Sequence, residues 1–191
     1  MKSTSLVFTG DIGFDKFMAK RWEDENLLSD DVRAFLSSGG HLIVNVEGPL
    51  YERKEAEATS GALSLVHSMD PKVGDFLEGI GADVWNICNN HIMDAGPEGI
   101  MATLENAKAH NALTLGAGAN EKDARKPVIF KEAGGIGMIG VGYQRACRKA
   151  GEETPGCYSW SDLDAIKESI EEIKKTCRWC IVVAHAGEEF T

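Results

Sequence analysis

The side chains able to bind a cation or move a proton fall into four short groups: Gly10-Asp11, Asn45-Val46-Glu47, Asn89-Asn90-His91 with Asp94, and His185 followed by Gly187, Glu188 and Glu189. Each group comes at the end of an apolar run that reads as a buried strand, ending at Phe8-Thr9, Val44, Trp85 with Ile87, and Val183. Ligand sites in open α/β sheets collect at the carboxyl ends of strands. One polar strand end carries little information. Four of them point to a site.

The residue types narrow the chemistry. A glycine lets the chain turn before the Asp11 carboxylate, which suits a hard or borderline cation; on its own, such an aspartate more commonly caps a helix. Asn45 and Glu47 lie two apart and so project from the same face of a strand. Glu47 is an anionic ligand candidate, and Asn45 orients it or contacts a substrate. In Asn89-Asn90-His91, an amide oxygen ligates a metal without adding charge, while the imidazole donates a proton to a leaving oxygen. Asp94, one turn on, fixes the tautomer of His91. His185 suits Zn, Mn or Fe. Gly116-Ala117-Gly118 follows a short strand and allows close approach to a substrate. Asn45, Asn89, Gly116, Gly118 and Glu189 are therefore the expected substrate contacts. His41, His67 and His110 lack such company and read as structural or exposed.

Two motifs are set aside. Gly135-x-Gly137-x-x-Gly140 has the glycine spacing of a dinucleotide loop, but it lies within a strand-like run and no helix N-terminus follows to hold a phosphate. Cys177-x-x-Cys180 closes a helix and opens a strand, the reverse of the redox arrangement, and no second pair completes a zinc site. Five cysteines without framework spacing fit a reducing compartment.

The elements that must position these groups follow from periodicity. A helix is expected over Phe14–Trp22, others over Asp30–Ser37, from Pro71, over Pro97–His110, and from Leu163 onward. Val128–Phe130 and Ile136–Val141 form a hairpin, and Trp179–His185 is the last strand. The charged stretch Tyr51–Gly61 is an exposed loop. The order β-α-α-β-α-β-α-β-β-β-α-β describes a layered α/β fold with a largely parallel sheet.

The chain has 191 residues, 43% of them hydrophobic, enough for a single core spanning 1–191. A net charge of -10 argues against nucleic acid or an anionic membrane surface as partner and is compatible with divalent cations. There is no membrane-spanning run and no signal core, so the chain as written is expected to be cytoplasmic, or else extracellular or membrane-anchored with its export segment removed.

Taken in order, Gly10-Asp11, Asn45-Val46-Glu47-Gly48-Pro49-Leu50, Asn89-Asn90-His91 with Asp94-Ala95-Gly96, Gly116-Ala117-Gly118 and His185-x-Gly187-x-Glu189 resemble the CapA family of bacterial capsule or poly-γ-glutamate synthesis proteins. That family is similar to the calcineurin-like metallophosphoesterases. The resemblance implies a four-layered αββα sandwich and a centre for two divalent metal ions (Mn, Fe or Zn). Asp11, Glu47, Asn90 and His185 would be the metal ligands, with His91 the proton donor. It implies an anionic polymer or phosphorylated small substrate, and capsule-synthesis membrane partners. In a non-catalytic alternative, the same groove holds polymer or a membrane partner. Ile12-Gly13 stands where the phosphoesterase pattern Asp-x-His has an imidazole. The family's late Gly-His-x-Pro-His segment does not occur before Thr191, which implies a C-terminally incomplete domain and site.

Overall fold

The computed structural model describes residues 5–52, 66–143 and 147–186. Four strands, β1 (Leu6–Ile12), β2 (His41–Val46), β3 (Ala82–Asn86) and β4 (Leu113–Leu115), form a parallel sheet in that order. The connections carry α1 (Asp30–Leu36), α2 (Val73–Gly79) and α3 (Gly96–Ala109). Next comes β5 (Ala117–Gly118), a single helical turn α4 (Glu121–Ala124), and the strands β6 (Val128–Phe130) and β7 (Ile136–Gly142). β8 (Gly156–Cys157) pairs antiparallel with β5, and α5 (Leu163–Thr176) leads into β9 (Trp179–His185). β6, β7 and β9 make a second sheet, with β6 antiparallel and β9 parallel to β7.

Strand alternation divides the apolar side chains into three layers of packing. Ile43, Val84 and Leu115 of the first sheet meet Phe130, Ile136 and Met138 of the second between the sheets. On the other face of the first sheet, Leu42, Val44, Val46 and Trp85 pack against Val73 and Leu77 of α2 and Ile100 and Ala107 of α3. On the outer face of the second sheet, Ile139 and Val141 pack under Ala165, Ile166 and Ile173 of α5. The result is a helix–sheet–sheet–helix sandwich of α/β type, as the family resemblance implies.

Gly137 sits directly beneath Ile173, and a Cβ there would collide with its side chain, so this glycine lets α5 close on β7. The glycine run 135–140 is thus an internal strand and its junction, not a phosphate loop.

One expectation is corrected. The helix over Phe14–Trp22 is replaced by two single 3-10 turns, Lys16–Met18 and Arg21–Glu23. Lys16 and Lys20 adopt φ of 50° and 63°, which interrupts any α-helical ladder; Phe14 is buried while Phe17 is 89% exposed. Ala117–Gly118 forms a short strand, because Cys157–Gly156 supplies the pairing edge. Of the charged loop, the part beyond Glu52 lies outside the described residues. No helix among the described residues is long and apolar enough to cross a membrane.

Candidate functional site

The first sheet places three polar residues side by side through its register: Asp11 aligns with Asn45, and Asn45 with Asn86. Asp11 reaches this position because β1 carries a bulge between Phe8 and Asp11, where three steps along β1 match two along β2. Without the extra residue Gly10 would stand opposite Asn45, and the Asp11 side chain would turn to the other face. In the second sheet, His185 is the last residue of β9, opposite Gly142. The carboxyl ends of both sheets therefore converge at one corner.

Asn45 is the hub of that corner. Its Nδ2 donates to Asp11 Oδ1 at 2.7 Å and to Glu47 Oε2 at 2.5 Å, and lies 3.4 Å from His185 Nδ1. Its Oδ1 accepts from Asn86 Nδ2 at 2.9 Å and from Asn89 Nδ2 at 3.4 Å. On the far side of the imidazole, His185 Nε2 lies 2.8 Å from Asn90 Oδ1 and 3.7 Å from Glu47 Oε1. Because Asn90 Oδ1 can only accept, Nε2 carries the proton and donates to it. Asp11, Glu47 and His185 each offer one ligand atom within 4.8 Å of the others. Two carboxylates, an imidazole and a neutral amide oxygen make a donor set that fits a borderline divalent cation.

Glu47 is only 9% exposed. Burial raises its pKa above the ordinary carboxylate range, and the neighbouring Asp11 charge adds to this; His185, the Asn45 hydrogen bond and His91 pull it down. A cation at the corner would compensate the charge concentrated there.

The β3–α3 loop builds the second half of the site. His91 Nδ1 lies 2.8 Å from Asp94 Oδ2, and that same oxygen accepts from the backbone N–H of His67 at 2.7 Å. The His67 and His91 rings are 3.9 Å apart between centroids, tilted by 54°, and His67 Nδ1 faces Asp15 Oδ2 at 2.9 Å. Burial, followed by the His91 charge, lowers the His67 pKa against the opposing pull of Asp15. His67 thus belongs to the site, contrary to its expected structural or exposed role. No sequence signal marks it, because its neighbours come from the β1 and β3 ends. Asn86 also belongs to the corner, and the sequence cue for it is a polar residue interrupting the run Val84-Trp85-Asn86-Ile87.

The expected substrate contacts divide. Asn45 is at the corner. Asn89 is fully buried, donating to Val46 O at 2.7 Å while its Oδ1 accepts from His91 N at 3.1 Å. Its amide is spent on shaping the loop that presents Asn90 and His91, so it is not available as a direct contact. Gly116 and Gly118 are likewise buried: Gly116, at φ 79°, packs against Cys88 and Gly140, and Gly118 packs against α4. They serve close packing between layers rather than approach by a ligand. Glu189 lies outside the described residues.

The profile of the family described as "Bacterial capsule synthesis protein PGA_cap" matches residues 5–191. The chain belongs to this capsule-synthesis family. It is 27% identical to the PGA biosynthesis protein CapA of Bacillus subtilis (strain 168) across 97% of this chain and 50% of that protein. It is 24% identical to the capsule biosynthesis protein CapA of Bacillus anthracis across 83% of this chain and 40% of that protein. The chain therefore spans about half the length of the curated relatives it matches.

Proposed function

We propose that this PGA_cap-family chain is a divalent-cation-dependent hydrolase of the phosphoesterase type, working in capsule or poly-γ-glutamate synthesis on a phosphorylated precursor or an anionic polymer. The observation that carries the reading is the convergence of Asp11, Glu47, His185 and Asn90 on one corner, beside a His91–Asp94 pair held at 2.8 Å. The names of the two Bacillus relatives supply the biosynthetic setting.

Asp11, Glu47, Asn90 and His185 would hold the cation, which supplies Lewis acidity at the corner when bound. The His185 Nε2 proton now lies between Asn90 Oδ1 and the Glu47 carboxylate, so ligation through Nε2 would require that proton to move to Nδ1. Asn45 holds both carboxylates in place. Asp94 accepts from His91 Nδ1–H, so that His91 in its protonated form gives the Nε2 proton to the departing oxygen. Asn89 fixes the turn that carries His91. An acidic chain meets an anionic substrate most favourably through a cation, which supports metal-mediated contact over direct binding of polymer by basic side chains.

The test combines elemental analysis of the purified chain with hydrolysis of an aryl phosphodiester and an aryl phosphomonoester in the presence of Mn²⁺. The expected result is cation uptake and turnover, both lost in Asp11→Ala/His185→Ala. His91→Asn keeps the cation while its rate drops by roughly 10²–10⁴-fold, the usual contribution of a general acid. Uptake by the parent chain without turnover of either ester would replace the hydrolase by the non-catalytic reading. Absence of uptake would overturn the metal site itself.

A further inference from the structure

Three cysteines that are far apart in sequence meet beneath this corner. Cys88 follows β3, Cys147 follows β7 and Cys157 ends β8, and their relative exposures are 0%, 1% and 1%. Their Sγ atoms all lie within 4.8 Å of one another. No disulfide joins them. The backbone is pared away around the sulfurs. A Cβ at Gly142 would collide with the Sγ atoms of both Cys147 and Cys88, and one at Gly116 with the Cβ of Cys88. Buried cysteine is ordinarily a small hydrophobe placed singly in a core. Three sulfurs on one point, from three segments, is ligand geometry: four-coordinate zinc with Zn–S of about 2.3 Å sets its sulfurs about 3.8 Å apart.

We infer that Cys88, Cys147 and Cys157 form a second, structural metal site that takes one thiophilic cation of the Zn²⁺ type, distinct from the carboxylate–imidazole corner. All three thiols give up their protons to solvent on uptake and ligate as thiolates. The Tyr158 carbonyl oxygen, 3.7 Å from Cys88 Sγ, is at hand for the fourth position. Cys88 immediately precedes Asn89-Asn90-His91, so the cation would staple the loop carrying those residues to the 147–157 segment. The all-sulfur set favours a thiophilic cation more strongly than the carboxylate–imidazole corner does, which makes the two sites distinguishable by their ligands.

The test is a Co²⁺ titration of the reduced, metal-stripped chain. A sulfur-to-cobalt charge-transfer band saturating at one equivalent and displaced by Zn²⁺ is expected. It should survive in Asp11→Ala/His185→Ala, which separates this inference from the proposed hydrolase centre, and in Cys177→Ser/Cys180→Ser. It should vanish in Cys147→Ser and Cys157→Ser. Should either serine variant fail to fold, zinc X-ray absorption of the Asp11→Ala/His185→Ala chain reads the same point, with sulfur neighbours at about 2.3 Å expected. A folded chain without the band, a band that follows Cys177 and Cys180 instead, or zinc with only nitrogen and oxygen neighbours would overturn the site.

Discussion

Asn45→Asp replaces the hub's donor with an acceptor while leaving its shape unchanged. The Nδ2 atom that now lies 2.7 Å from Asp11 Oδ1 and 2.5 Å from Glu47 Oε2 becomes a carboxylate oxygen. Two like charges at such a separation repel by about 6 kcal/mol at an effective dielectric of 20. Protonating one carboxyl group is the cheaper escape. Holding a carboxyl that ordinarily titrates near 4 in its neutral form at pH 7 costs about 4 kcal/mol, at 1.36 kcal/mol per pH unit. The metal-stripped variant should therefore lose about 4 kcal/mol at pH 7, a fall in Tm of about 8–16 °C for a chain of this size. The deficit should shrink to about 1.4 kcal/mol at pH 5, because the required proton is then nearly free. Saturating Mn²⁺ should recover part of the loss, since a cation neutralises the three carboxylates. Thermal denaturation by circular dichroism at the two pH values, with chelator and with Mn²⁺, measures all three effects. A variant as stable as the parent at pH 7, or a deficit that does not shrink on acidification, would refute the hub geometry.

Glu47→Gln should abolish cation uptake while raising the Tm of the metal-stripped chain at pH 7. The folded-state pKa of Glu47 lies above its unfolded value, so its favourable contribution belongs to low pH and is lost as pH rises through the folded pKa. For the same reason, cation affinity of the parent, followed by calorimetry, should weaken on acidification starting above the ordinary carboxylate range and disappear once Glu47 is protonated. Gly116→Ala should destabilise by about 1–3 kcal/mol in urea unfolding, because φ is 79° and the added methyl meets the Cys88 side chain and the Gly140 backbone. Leu77→Ala, at a fully buried position between α2 and the first sheet, should cost about 2–5 kcal/mol without altering cation uptake.

Local chemistry was enough to place most elements and seven residues of the candidate site. Periodicity marked α1, α2, α3 and α5, the β6–β7 hairpin and β9, because these segments bury one regular face and their patterning repeats it. The rule that polar groups after apolar strands gather at one sheet edge led to Asp11, Asn45, Glu47, Asn90, His91, Asp94 and His185 without any knowledge of how the strands are ordered. Strand direction alone puts carboxyl ends together.

Whatever depended on register, backbone hand or contact between distant segments was decided by tertiary structure. The β1 bulge turns Asp11 toward Asn45, yet nothing in Phe8-Thr9-Gly10-Asp11 distinguishes a bulged strand from a regular one. The left-handed Lys16 and Lys20 break a segment whose apolar spacing is helical, since side-chain pattern does not report φ. Asn89 carries the residue type of a ligand contact, but its burial commits it to Val46 and His91. His67 joins His91, and Cys88, Cys147 and Cys157 join one another, only because the sheets stack. Sequence separation hides such pairs: their proximity is produced by packing of whole layers, and a one-dimensional pattern has no term for it.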